Sequence, residues 1–329
     1  MSDQNVSAAP VVFADRVYLS EKAGAELSRM GGYAWADAGD AFDLAGKIGG
    51  SPDVKVIVTE YVPVDDTVLD RAPALKAVIA YGAGYDHIDV QALKRRGVLT
   101  CNCPGENSQA VAELTFGLML CLLRRIHRAD QWVRSGEWSR EGLVLPRWAS
   151  GRELWRKTLG VIGLGNIGAR VARIAGGFDM KIIGYDPVKN DEQLIRLGVE
   201  PATLPDLLSR SDIVTLHVPL TPDTEGMIDA AALKGVKPGM ILVNTSRGRV
   251  IDESAMIEAL QSGRIGAAAL DVFASEPLSP SNPLAGMENV LLSPHLGALT
   301  HEAGDRLCDS ILRQVRDILE GQPPEGLIR

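Results

Sequence analysis

The stretch Val161-Ile162-Gly163-Leu164-Gly165-Asn166-Ile167-Gly168 restricts this chain most, because it stands between a β-rich run, 158–162, and a helical run, 169–176. A G-x-G-x-x-G spacing alone occurs in many turns. A strand before it and a helix after it give it meaning. Gly163 permits a tight strand-to-helix turn, Gly165 lets backbone approach a pyrophosphate, and Gly168 lets the helix pack closely on the strand. Asn166 and Ile167 open that helix, where phosphate is expected at the N-terminus. The next predicted strand, 181–185, ends at Asp186, where a carboxylate accepts hydrogen bonds from adenosine ribose hydroxyls. A 2′-phosphate would meet like charge there, and Tyr185 and Pro187 offer no cation, so NAD is favoured over NADP. The bland alternative is a tight packing turn with a capping aspartate.

The surrounding pattern is short apolar strands alternating with amphipathic helices, as in parallel sheets covered on both faces. Strands are predicted at 54–59, 75–81 and 98–102, with helices near 66–71 and 89–96, forming a small α/β unit. One long helix is expected over 108–135, followed by a link punctuated by Trp138, Trp148 and Trp155. The second series has six predicted strands, at 158–162, 181–185, 213–217, 240–244, 267–271 and 290–293, enough for a dinucleotide-type sheet. A closing helix near 300–320 leads to a tail containing Pro323 and Pro324.

With 329 residues, 46% of them apolar and 23% charged, the chain is expected to be globular and to hold two domains. A net charge of −8 argues against nucleic acid or an anionic membrane as a partner. The apolar run Leu114 to Leu123 is too short and interrupted for a membrane span, and residues 1–10 show no secretory pattern. Cytoplasmic residence is therefore expected. Cys101, Cys103, Cys121 and Cys308 are too few for a disulfide framework, and the Cys101/Cys103 pair lacks partners at ligand spacing, so no metal site is expected.

Three further segments fall at strand ends, where doubly wound sheets carry their sites. They are Asn244-Thr245-Ser246-Arg247-Gly248-Arg249, Asp271-Val272-Phe273-Ala274-Ser275-Glu276-Pro277 and Ser293-Pro294-His295-Leu296-Gly297. Together they supply a cation, a carboxylate and an imidazole, the parts needed to bind a 2-keto acid and protonate its carbonyl oxygen as hydride arrives. Each alone has a bland reading as a surface cation, a loop carboxylate or a core histidine. His217 is read as positioning backbone near the cofactor, while His87, His127 and His301 carry no supporting pattern. Arg124, Arg125 and Arg128 read as a solvated or subunit-facing helix side.

These motifs, with Gly82-Ala83-Gly84-Tyr85-Asp86, the helix opening at Asn107 to Glu113 and His217-Val218-Pro219-Leu220-Thr221, occur in one order. In that order the chain resembles the D-isomer-specific 2-hydroxyacid dehydrogenase family, and its phosphoglycerate dehydrogenase-like members in particular. The resemblance implies that Arg247 holds substrate, His295 is the general acid/base, and Glu276 orients His295 and favours its protonated form. It implies substrate contacts from Tyr81, Gly82, Ala83 and Gly84. Cofactor contacts are implied from His217, Val218, Pro219, Thr224, Thr245, Ser246, Arg247, Asp271, His295 and Gly297, besides the fingerprint and Asp186. The implied architecture is two doubly wound parallel-sheet domains. A Rossmann NAD-binding domain with a dimerisation arm, 104–299, is inserted into a flavodoxin-like substrate domain, 1–103 and 300–329, with the site in the cleft. A homodimer is expected.

The resemblance has departures. Thr59, Glu60, Ala80 and Tyr81 stand where phosphoglycerate dehydrogenases usually place arginines, which counts against a phosphorylated substrate. No C-terminal regulatory domain is expected after the closing helix. The leading expectation is an NAD-dependent oxidoreductase that moves a hydride between the nicotinamide and a small 2-hydroxy or 2-keto acid. The alternatives are an NADH-responsive binding protein similar to the C-terminal-binding-protein corepressors, and a dehydrogenase of a non-carboxylate anion such as phosphite.

Overall fold

A computed structural model describes residues 6–142 and 144–328. Residues 1–5, half of the N-terminal stretch read for a leader, lie outside the described residues, as do 143 and 329. The chain divides into two compact units, Met1–Asn107 with Ala298–Arg329, and Ser108–Gly297.

The first unit contains β1 (Val11–Phe13), β2 (Tyr33–Trp35), β3 (Val56–Thr59), β4 (Ala77–Ala80) and β5 (Leu99–Cys101). They form a parallel sheet in the order β2-β1-β3-β4-β5, the flavodoxin-type winding. Strand alternation sends Val11, Phe13, Val56, Val58, Ala77 and Ile79 to one face, where Leu307, Ile311, Leu312, Val315 and Ile318 of the helix His301–Glu320 cover them. Val12, Ile57 and Val78 point the other way, against Leu44, Ile48, Val68, Ala92 and Leu93. The proline-containing tail does more than close the chain. It runs beside β5, with Asn102 N–H donating to Gly326 O at 3.0 Å and Ile328 N–H to Thr100 O at 2.9 Å, which covers an otherwise open sheet edge.

The second unit contains β6 (Thr158–Ile162), β7 (Lys181–Tyr185), β8 (Glu200–Pro201), β9 (Ile213–Leu216), β10 (Met240–Asn244), β11 (Ile265–Leu270) and β12 (Val290–Leu292). All pair in parallel in the order β12-β11-β10-β9-β6-β7-β8, a Rossmann-type winding that reverses between β6 and β9. Seven strands replace the six expected, because β8 is only two residues long and carries Pro201.

The single helix expected over 108–135 is instead two, Ser108–Leu123 and Ile126–Arg134, broken at Arg125 with φ 53°. The Leu123 carbonyl accepts from Arg152 N–H at 3.0 Å instead of continuing the helix ladder, and Gly151 lies so close that a Cβ there would be 2.7 Å from the same oxygen. Beyond the break, Trp132 packs edge-on against Trp148 at 5.7 Å, and the Arg128 guanidinium lies 4.6 Å from the Trp148 ring centre. Among the described residues no helix is long and apolar enough to cross a membrane.

Candidate active site

The glycine turn is packed on its inner side and open on its outer side. Gly163 has φ +87°, and a Cβ there would meet the His217 backbone at 2.7 Å. A Cβ on Gly168 would overlap the Gly163 carbonyl, whereas none on Gly165 would touch anything within 4 Å. The first helical turn closes when Ala169 N–H donates to Gly165 O at 3.0 Å, leaving the earlier amides as the orphan donors of a helix start. This is a cradle for a pyrophosphate.

Asp186 stands at the end of β7 with its carboxylate already engaged. Oδ2 accepts from Leu164 N–H at 2.7 Å, and Oδ1 accepts from Val188 N–H at 2.9 Å and Lys189 N–H at 3.1 Å. It therefore ties the glycine turn to the loop after β7.

His217 follows β9, and burial pushes its ring pKa down to about 3, so the imidazole is neutral at ordinary pH. Nε2 lies 2.9 Å from Thr215 Oγ1, while buried Nδ1 has no partner among the described residues. Such an orphaned polar atom beside the glycine turn fits a site meant for a polar ligand. Thr224 spends its hydroxyl locally, donating to Pro219 O at 2.6 Å and accepting from Thr221 N–H at 2.8 Å, which braces the Val218-Pro219 loop.

The loops after β10, β11 and β12 bring Arg247, Glu276 and His295 together. Asn244 shapes the first loop, accepting from Ser246 Oγ at 2.8 Å and donating to Arg247 O at 2.9 Å; Thr245 Oγ1 lies 3.0 Å from Thr115 Oγ1. Asp271 shapes the third, accepting from Leu296 and Gly297 N–H, each at 2.9 Å, while its main-chain oxygen accepts from His295 N–H at 2.9 Å. This cage holds His295 at φ 56°, a left-handed conformation unusual for a residue with a side chain. Burial pushes the Asp271 carboxyl up. Glu276 precedes Pro277 through a cis peptide bond; its Oε1 accepts from Phe273 N–H at 2.9 Å and its Oε2 lies 2.7 Å from His295 Nδ1. Burial pushes the Glu276 carboxyl up, but the His295 contact, the Phe273 amide and the nearby charges of His295 and Arg247 outweigh it and hold the pKa below the usual glutamate range.

One residue that the sequence did not single out, Glu253, supports this arrangement. Glu253, at the start of the helix Glu253–Gln261, accepts from Ala274 N–H at 3.2 Å and Asn282 Nδ2 at 2.8 Å, fastening the loop that carries Glu276. In the first unit, Gly82 turns at φ +141° and its carbonyl accepts from Cys103 N–H at 2.8 Å, while Ala83 O accepts from Asn102 Nδ2 at 2.8 Å. Tyr81 is buried and donates its hydroxyl inward to Tyr18 O at 2.8 Å.

Among known families, residues 116–297 match the model of the D-isomer specific 2-hydroxyacid dehydrogenase NAD binding domain. The chain belongs to the D-isomer-specific 2-hydroxyacid dehydrogenases. It is 41% identical over 266 residues to a glyoxylate reductase of Korarchaeum cryptofilum, covering 81% of this chain and 80% of that protein. It is 40% identical over 289 residues to a D-3-phosphoglycerate dehydrogenase of Mycobacterium bovis, covering 88% of this chain but only 53% of that one. The crystal structure of Aquifex aeolicus D-lactate dehydrogenase with NAD and lactic acid superposes with a TM-score of 0.81 at 29% identity, covering 94% of this chain and 96% of that one. As a member of this family the chain is an NAD-dependent oxidoreductase of 2-hydroxy acids, and the cradle around Gly163, Gly165 and Gly168 fits that cofactor.

Proposed function

We propose that this enzyme reduces a small, unphosphorylated 2-keto acid of the glyoxylate class, and oxidises the matching 2-hydroxy acid, through Arg247, Glu276 and His295. The observation that carries this reading is the 2.7 Å contact between His295 Nδ1 and Glu276 Oε2, held next to Arg247 by three successive strand ends. Bound NADH supplies the hydride that reaches the carbonyl carbon. His295, with Nδ1 engaged by Glu276, gives a proton from Nε2 to the carbonyl oxygen, and takes it back in the oxidation. Arg247 binds the keto-acid oxygens through its planar guanidinium. Asn166, Ile167 and the three fingerprint glycines hold the pyrophosphate, Asp186 meets the adenosine ribose, and His217 to Pro219, Thr245, Ser246, Asp271 and Gly297 shape the nicotinamide end. Tyr81 to Gly84 form the substrate turn of the first unit.

The glyoxylate reductases among its relatives support the substrate class, as does the absence of arginine from Thr59, Glu60, Ala80 and Tyr81. A panel of 2-keto acids with NADH tests it. Turnover of glyoxylate or hydroxypyruvate, well above that of a phosphorylated keto acid, is expected. No turnover of any 2-keto acid would overturn the proposal.

We further propose a cytoplasmic homodimer. Val133, Trp138, Val144, Leu145 and Trp155 leave apolar surface exposed on the arm, and light scattering of the purified protein decides between dimer and monomer.

A further inference from the structure

Both ends of the loop that carries Glu276 are tied to one side chain. Glu253, half-buried in the first turn of the helix Glu253–Gln261, accepts from Ala274 N–H with Oε2 at 3.2 Å and from Asn282 Nδ2 with Oε1 at 2.8 Å. Between those two points the chain runs through 274–282 as irregular backbone. Asn282 is itself fixed, because its Oδ1 accepts from Leu284 N–H at 3.0 Å at the start of the short helical turn Pro283–Gly286. A carboxylate only accepts, and with both oxygens engaged Glu253 acts as a clasp across the base of the loop.

The Ala274 end of the clasp leads to the proposed proton-transfer pair. The Ala274 amide shares a peptide group with the Phe273 carbonyl, which packs on Gly248, the residue after Arg247. The preceding amide, Phe273 N–H, donates to Glu276 Oε1 at 2.9 Å, and Glu276 Oε2 lies 2.7 Å from His295 Nδ1. Two consecutive amides thus divide between two glutamates, one fixing the loop and one facing the ring. Only Ser275 separates Ala274 from Glu276, so a peptide group that swings away from Glu253 carries Glu276 with it. A displacement of about 1 Å takes a contact of 2.7 Å outside hydrogen-bond range.

We infer that Glu253 is a positioning residue for proton transfer: its clasp on Ala274 and Asn282 holds Glu276 against His295 Nδ1. The inference rests on the proposed roles of Glu276 and His295, and names what fixes their separation. Which nitrogen of a neutral histidine carries the proton is set by the hydrogen bond that the other nitrogen makes. With Glu276 accepting at Nδ1, the neutral ring carries its proton there and leaves Nε2 free to take the hydroxyl proton of a 2-hydroxy acid. With the clasp open, the ring relaxes toward the Nε2–H form that histidine prefers in water.

Long-range proton–nitrogen NMR of the full chain with isotope-labelled histidine reads this tautomer, at a pH where the ring is neutral and with His295→Gln identifying the signal. Nδ1–H is expected in the wild type and Nε2–H in Glu276→Ala. Glu253→Gln keeps the size of the side chain but meets two donors with one oxygen, so either a contact at the loop base is lost or Asn282 turns over and gives up Leu284. Its ring signals should move from the wild-type values toward those of Glu276→Ala. Asn282→Ala opens the other end of the clasp and should move them the same way; it decides the matter if a melting curve shows that Glu253→Gln does not fold. A purely structural role for Glu253 would lower the melting temperature and leave the signals in place, and that result overturns the inference while the Glu276–His295 pair stands. If the wild type lacks Nδ1–H, or Glu276→Ala keeps it, the pairing itself falls and the inference falls with it.

Discussion

Gly248 and Phe273 are packed backbone against backbone: a Cβ on Gly248 would overlap the Phe273 carbonyl and the Ala274 nitrogen. This contact locks the loop bearing Arg247 to the loop bearing Glu276. Gly248→Ala must therefore push the two loops apart. A displacement near 1 Å is enough to lower kcat/KM by about 100-fold, and the overpacking should cost about 1–3 kcal/mol of stability. Steady-state kinetics with a thermal melt test this; unchanged activity would show that the loops are not mechanically joined.

Arg247→Lys should behave as a severe change although charge is retained. An ammonium cannot bind two keto-acid oxygens in the plane of a guanidinium. A fall in kcat/KM of about 10- to 1000-fold is expected, equivalent to about 1.4–4 kcal/mol. Near-normal activity of the folded variant would remove Arg247 from substrate binding.

Glu276 stays ionised below the usual glutamate range because the interaction with His295 and the other favourable contacts outweigh burial. Glu276 Oε2 lies 2.7 Å from His295 Nδ1, so a glutamine at 276 would take away the negative charge beside the ring. Reduction needs the protonated ring, so in Glu276→Gln its falling limb should move to lower pH by about 1 unit. The rising limb for oxidation should move the same way. Profiles of kcat/KM in both directions, with a deuterated-cofactor isotope effect showing that hydride transfer limits the rate, check this. Limbs that stay in place would exclude the coupling. The stabilisation from this carboxylate should itself be present above the usual glutamate range and lost as pH falls through the lowered value.

His217 makes stability fall with pH in the same direction as Glu276, because its pKa too is lowered on folding. Its folded pKa is about 3, whereas a histidine in an unfolded chain titrates near 6.5. Below about pH 6.5 the unfolded chain therefore takes up a proton that the folded chain refuses, and stability falls by up to about 1.4 kcal/mol per pH unit. His217→Gln removes that proton, so a plot of melting temperature against pH between 7 and 5 should become shallower. Identical slopes would mean that the ring is protonated in place.

Much of this arrangement was legible from local pattern. The long strands announce themselves as apolar runs, and the strand, glycines and helix around Gly163 form one continuous motif. Arg247, Glu276 and His295 each follow such a strand, and β10, β11 and β12 are neighbours, so their loops meet. What escaped depends on residues distant in sequence. β1 and β2 are three residues each, too short to show a period. The helix break at Arg125 follows from the link at Gly151 and Arg152 claiming the Leu123 carbonyl. Glu253 reaches a loop twenty-one positions away, and Arg170 and Arg196 beside the loop after β7 come from separate helices.

The first unit is discontinuous, and that has a consequence for how the chain is made. The helix His301–Glu320 supplies one covering face of the five-stranded sheet, yet it is separated from β5 by the whole of Ser108–Gly297. At about 5–20 residues per second, a ribosome needs about 10–40 s to bridge that gap. Throughout that interval Val11, Phe13, Val56, Val58, Ala77 and Ile79 have only Ala23 and Leu27 of the helix Glu21–Arg29 as helical cover, while the intervening unit has its own internal contacts. The N-terminal sheet can thus complete its core only after the helix His301–Glu320 has been made.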